Sequence, residues 1–194
     1  MSSTSTKTIS PAELAEFKDT SKLAEIAQKY ASMAKPGEEL EVYVSSGSDV
    51  EIAIYNGEVE NMSTASTTAL GIRVINDHRE GSAWTESLEP QHIEAALAAA
   101  RENATIAEPD EFASMVSPDM IDDVEPTPQN GWRDSILTTS LEDKLKVAME
   151  LDAYARSLSN VINDIEASSY DDGWGHSVVA NSHGILVSNS STSA

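Results

Sequence analysis

The sequence predicts an α+β fold, with antiparallel β-meanders packed in two layers against about three helices. Two observations carry this. The apolar period changes from helical to alternating, back to helical, and to alternating again, so runs of strands fall between helices rather than single strands. Short turn signals, above all Asn56-Gly57, join one alternating run to the next.

The elements follow in order. Residues 1–9 are rich in Ser and Thr and read as a flexible tail. Ser10, Pro11 and Glu13 then supply an N-cap, a first-turn proline and a capping box. Leu14 and Phe17, then Leu23, Ile26, Ala27, Tyr30, Ala31 and Ala34, recur at helical spacing, with Asp19-Thr20-Ser21 as a candidate interruption. Lys35-Pro36-Gly37 stops the helix. Leu40, Val42 and Val44 alternate with polar neighbours, as do Val50, Ile52 and Ile54, and Ser45–Asp49 reads as a turn around Gly47. A third strand runs from Glu58 towards Thr67, Leu70, Ile72 and Val74 mark a fourth, and Ser82–Glu86 a fifth.

Pro90 opens a second helix, with Ile93, Ala96, Leu97, Ala100 and Ala104 as its apolar stripe. Residues 105–135 are acidic and hold Pro109, Pro118, Pro126 and Pro128, which reads as a long surface connection. Ser140 caps a third helix, with Asp143 at the reciprocal position and Leu141, Leu145, Ala148, Leu151, Ala155 and Leu158 as its expected buried side. Strand signals return at Val161–Tyr170 and Trp174–Ala180, separated by an Asp171-Asp172-Gly173 turn, and Asn181–Gly184 forms a hairpin turn before Ile185 and Val187. The last strand reaches Ala194 without a closing element, so the chain is expected to be a piece of a longer protein.

The formal net charge is −21, and no cluster of Lys or Arg offsets it, which argues against contact with nucleic acid or an anionic membrane. With no cysteine, disulfides, thiolate catalysis and Cys-type zinc sites are excluded. The first ten residues lack the apolar stretch of a signal peptide, and a cytoplasmic location fits.

The four histidines, His78, His92, His176 and His183, do not fall at H-E-x-x-H or H-E-x-x-x-H spacing, which would put two imidazoles on one helix face toward a zinc ion. His176 and His183 can meet only across a hairpin, with no clear carboxylate partner. No G-x-S-x-G elbow or phosphate-binding P-loop is present, and Gly173-Trp174-Gly175 lacks a third glycine and a following helix. The acid pairs Asp122-Asp123 and Asp171-Asp172 read as solvated loops rather than calcium sites. The residues therefore give no catalytic, metal-binding or cofactor-binding set.

Asn56-Gly57-Glu58-Val59-Glu60-Asn61, followed by Ala69-Leu70-Gly71-Ile72-Arg73-Val74, resembles the opening hairpins of the PmbA/TldD family. Gly81-Ser82-Ala83, Leu88-Glu89-Pro90 with its Ala-rich helix, and Ala180-Asn181-Ser182-His183-Gly184 continue the pattern in the same order, and the N-S-H-G form is closer to the PmbA (TldE) branch. The similarity runs from about Glu41 to Thr192, and its structural turn positions are Asn56, Gly57, Gly71, Asn181 and Gly184.

The resemblance implies that residues 10–194 form the N-terminal α/β domain of a TldD/PmbA-type metallopeptidase that degrades flexible peptides, with a β-rich C-terminal domain beyond this chain. It implies a zinc motif only in that later part or in a partner subunit, a homodimer or a TldD/PmbA-type heterodimer, and an older family label, modulator of DNA gyrase, that does not mean DNA contact. No catalytic residue carries over to this chain. The alternatives are a non-catalytic binding or assembly module that shares the hairpin pattern, and an independent enzyme using His176 and His183.

Overall fold

The computed structural model describes residues 9–121, 131–162 and 164–194, with Pro11 by its backbone alone. The tail expected over residues 1–9 therefore lies, but for Ile9, outside the described residues, as do Asp122 and Asp123. The elements are α1 (Pro11–Phe17), α2 (Ser21–Ala31), β1 (Glu38–Tyr55), β2 (Glu58–Asn76), β3 (Arg79–Thr85), α3 (Pro90–Ile106), a 3-10 turn (Pro118–Met120), α4 (Ser135–Thr138), α5 (Leu141–Ser157), β4 (Ser168–Asn181) and β5 (Leu186–Ser193).

The strands make one antiparallel sheet of five in the order β3-β2-β1-β4-β5. The two meanders expected from sequence are joined into this one sheet by β1, which pairs with β2 on one side and with β4 on the other, from Glu41↔Asn181 to Ile54↔Ser168. β1 is a single strand of 18 residues and β2 one of 19, so the turn expected around Gly47 and the break before Leu70 do not occur. Asp171-Asp172-Gly173 likewise lies inside β4 rather than in a turn, and the strand expected from Val161 begins only at Ser168.

The physical reason is close approach between strands. Gly47 faces Gly175 across the β1–β4 ladder, and a Cβ on Gly47 would stand 2.9 Å from the Trp174 carbonyl oxygen. Glycine here admits a neighbouring strand rather than turning the chain.

Local signals account for the element ends. The Ser10 hydroxyl accepts from the Glu13 amide and the Glu13 carboxylate accepts from the Ser10 amide, completing the capping box. The expected first helix is split in two where the Asp19 carboxylate accepts from the Ser21 amide. Asn56 (φ 52°) and Gly57 (φ 77°) turn β1 into β2 with the left-handed backbone that a tight hairpin needs. Between β2 and β3 the same work falls to Asp77 and His78. Within the connection over 105–135, α3 extends to Ile106, Met115 is buried and α4 starts at Ser135.

Cross-strand partners share a face, so every even-numbered residue of β1 points to the helices. Leu40, Val42 and Val44 join Leu70, Ile72, Val74, Val178 and Ala180 beneath Tyr30 of α2 and Ile93 and Leu97 of α3. Each such fully buried aliphatic side chain contributes about 1.5–3 kcal/mol by leaving water. The seat of α3 on β3 needs Gly81, where a Cβ would stand 2.2 Å from the Ala100 oxygen and the Ala104 nitrogen. Further along the strands, Ile52 and Ile54 pack with Ala148 of α5, which is turned so that Lys144 and Asp152 are buried with it while Leu141, Leu151 and Leu158, expected on the buried side, stand exposed. Helices thus cover one face of the sheet.

Candidate functional site

The other face carries the odd-numbered residues of β1. Tyr43, Ser45, Gly47, Asp49 and Glu51 stand beside Gly71, Ala69, Thr67, Ala65 and Ser63 of β2, and beside Val179, Ser177, Gly175, Gly173 and Asp171 of β4. Small side chains dominate, and they leave a shallow open depression of about 340 Å3. Tyr43, nearly half exposed, lines it, and the more exposed Trp84 stands further out on the same face, opposite Gly71. At one end the segment around Met115 bounds this face: the Met115 amide donates to the Glu39 carboxylate (2.8 Å) and Asn181 Nδ2 donates to the Val116 carbonyl (2.7 Å).

Beneath the centre of the sheet, on the helix side, lies an aromatic cluster. The His176 ring stacks on Trp132 at 5.2 Å between centroids, and Phe17 meets Trp174 edge-on at 4.4 Å. His176 Nε2 sits 2.9 Å from the Phe17 carbonyl and Nδ1 2.7 Å from the Ser190 hydroxyl. A carbonyl only accepts, so Nε2 carries a proton, and in the neutral ring Nδ1 then accepts from the Ser190 hydroxyl. Both nitrogens of the ring thus have a hydrogen-bond partner. Burial pushes its pKa below the usual 6.5, partly opposed by the Phe17 carbonyl.

At the far end a buried polar network replaces apolar packing. Lys144 Nζ donates to Asp172 (2.8 Å) and to the Ile136 carbonyl (2.9 Å), and Tyr170 donates to the other Asp172 oxygen (2.6 Å). Burial and this bond push the Tyr170 pKa up to about 12. Asp152, buried at the level of the Asn56-Gly57 turn, pairs with Arg156 at 2.9 Å. Neighbouring acids therefore part company: Asp172 is buried against Lys144, whereas Asp171 stands on the open face, directly opposite Glu51.

The residues singled out from sequence are dispersed. Asn56, Gly57 and Gly184 occupy left-handed turn positions, Asn181 closes β4 and accepts from the His183 and Ile185 amides, and Gly71 sits inside β2 rather than in a turn. His92 bonds Ser87, His78 lies in the β2–β3 turn, and His183 pairs with Glu39 at 2.8 Å. Among the described residues no group of three His, Asp or Glu side chains stands close enough to hold a metal ion. The described residues thus do not fit a zinc site. Sequence reading missed the open face and the outer edge of β2, because both follow from strand order.

Comparison with known proteins is decisive at the level of family. The family model for PmbA/TldA metallopeptidase domain 1 matches residues 40–104, and that for the PmbA/TldA metallopeptidase central domain matches residues 134–194. The chain belongs to the PmbA/TldD family. The first match spans β1 to α3 and the second α4 to β5, so the β1–β4 ladder joins the two in one sheet.

Metalloprotease PmbA of Escherichia coli O157:H7 is 30% identical over 152 residues, which is 78% of this chain and 33% of that protein. The chain therefore spans about a third of the length of this curated relative. TldE from Thermococcus kodakarensis superposes with a TM-score of 0.65 at 24% identity, over 89% of this chain and 37% of that one. A candidate modulator of DNA gyrase from Bacteroides thetaiotaomicron superposes at 0.75 with 20% identity, over 95% of this chain and 40% of that one. These superpositions show the same α+β fold. No helix among the described residues is long and apolar enough to cross a membrane.

Proposed function

We propose that this chain is a structural part of a PmbA/TldD-type metallopeptidase that cleaves flexible peptides in the cytoplasm, with the zinc supplied by another part of the polypeptide or by a partner subunit. The observation that carries the reading is the consecutive match to the family's first and central domains, in order along the chain. The dispersed histidines agree with it. His176 has both ring nitrogens hydrogen-bonded to Phe17 and Ser190, and His183 pairs with Glu39.

In this reading the domain shapes one wall of a chamber and offers backbone to an extended polypeptide. The experiment is hydrolysis of an unstructured fluorescent peptide by the full-length protein together with its zinc-bearing subunit, with and without a chelator. Cleavage that the chelator abolishes, and that the chain alone does not perform, is expected. Cleavage by the chain alone would place the active site here and sink the proposal, as would an inert zinc-loaded assembly. The other reading, a binding module without peptidase chemistry, is favoured by the outer edge of β2 before Leu70, which has no strand partner among the described residues, and predicts that inert outcome.

A further inference from the structure

β3 pairs with β2 only from Leu70 to Asn76. From Glu58 to Ala69 the outer edge of β2 has no strand partner among the described residues, and Glu58 to Thr67 are exposed throughout. Exposed edges in folded proteins are usually blunted by Lys, Pro or bulges. This stretch contains no Lys and no Pro; its charged residues, Glu58 and Glu60, and its one register irregularity, where Ala53 pairs with Asn61 but Ile54 with Val59, lie together beside the turn, so that Asn61 to Ala69 is regular and uncharged. The edge is a template for an added strand.

The two flanks of the edge differ chemically. On the open face β2 presents Asn61, Ser63, Ala65 and Thr67, all short, and behind them on the next strands stand Asp49, Glu51 and Asp171. Glu51 is directly opposite Asp171, and none of the three acids is in an ion pair among the described residues. Like charges set opposite each other in a sheet are destabilising. On the helix side, Val59 and Met62 stand half-exposed beside Ile54 and Ile52.

We propose that the outer edge of β2, Glu58 to Ala69, takes a cationic extended polypeptide segment as a sixth strand. Its Lys or Arg residues, at alternate positions, lie across Ser63 and Ala65 to reach Glu51 and Asp49. The intervening residues are apolar and cover Val59 and Met62. An added strand lies about 4.8 Å from β2 and so about 10 Å from β1. A Lys or Arg stem spans one strand of short residues and delivers its charge beyond it. A second copy of this chain is a poor occupant: the chain carries a net charge of −21, and its own edge would bring Glu58 and Glu60 without any cation. The inference deepens the peptidase reading by giving the bound polypeptide a chemistry. Binding by the chain alone tests it separately from hydrolysis by the assembly.

The test is titration of the full 194-residue chain with three octapeptides, followed by fluorescence anisotropy and amide NMR. One alternates Lys with Val, one alternates Glu with Val, and one has the Lys/Val composition in two blocks. The alternating Lys peptide is expected to bind about ten-fold more tightly than either other, a preference in the range of a few ion pairs. It should shift amides between Glu58 and Ala69 and weaken with added salt. The triple variant Asp49→Asn, Glu51→Gln, Asp171→Asn should keep its circular dichroism and lose the preference. Equal binding of the Lys and Glu peptides overturns the proposal, as does equal binding of the blocked peptide, absence of binding, perturbation away from β2, or self-association of the chain through β2.

Discussion

The helix-covered face of the sheet has two ends, built differently. Under α2 and α3, Leu40, Val42, Val44, Leu70, Ile72, Val74, Ile93 and Leu97 are buried in a continuous apolar cluster. Under α5, Ile52, Ile54 and Ala148 are the fully buried apolar residues among those described, and charges occupy the remaining interior: Lys144 with Asp172, and Asp152 with Arg156. The first end is held by apolar area removed from water, a non-directional gain that needs no specific partner. The second depends on each buried charge finding its partner. The weaker end is also where β2 has no outer neighbour among the described residues. Supporting strands and apolar packing thin out together, and an unpaired edge is retained where the sheet is least buttressed.

The sharpest way to break this contrast is Lys144→Met. It leaves Asp172, 4% exposed, without its cation, and should cost about 4 kcal/mol in denaturant unfolding. Adding Asp172→Leu should recover most of the loss, because an apolar pair replaces an ion pair at little net cost. Failure to recover would mean that the network positions α5 and not merely neutralises it. Next in size, Leu40→Ala should cost about 3 kcal/mol and Ile52→Ala about 2, since fewer buried neighbours surround the cavity at the second site. Equal losses would erase the distinction between the two ends.

The smallest effect lies between the two ends, at His176. Its folded pKa lies below 6.5, so in the window just below 6.5 the unfolded chain binds a proton that the folded chain does not. Stability from this group is complete above 6.5 and declines as pH falls through that window. His176→Gln should therefore flatten the loss of thermal stability between pH 7.5 and 5. Parallel curves for the two proteins would show that the ring is not held neutral.

Much of this architecture was legible in local chemistry. Caps at Ser10 and Ser140, the Asn56-Gly57 hairpin and the stripe Ile93, Ala96, Leu97 and Ala100 each depend on residues a few positions apart. What misled was glycine and serine inside long strands. Gly47 and Gly173 read as turns because turn chemistry is local, yet they are small for their cross-strand neighbours: a Cβ on Gly173 would stand 2.3 Å from an Asp49 carboxylate oxygen. The opposite fates of Asp171 and Asp172 were hidden for the same reason, since only the β1–β4 register says which one faces Lys144. The free edge of β2 is a property of strand order, to which no local pattern speaks.

The central position of β1 also has a consequence for synthesis. Its amide at Leu40 donates to the Ser182 hydroxyl, a bond between residues 142 positions apart. On a ribosome adding about 5–20 residues per second, β1 waits on the order of ten seconds for its second neighbour. During that interval β1 exposes the long side that β4 will later cover, while β3 already pairs with β2 from Leu70 to Asn76. The nascent chain is then most open to mispairing, and variants that slow the arrival of β4 should show their harm in yield before they show it in the stability of the finished molecule.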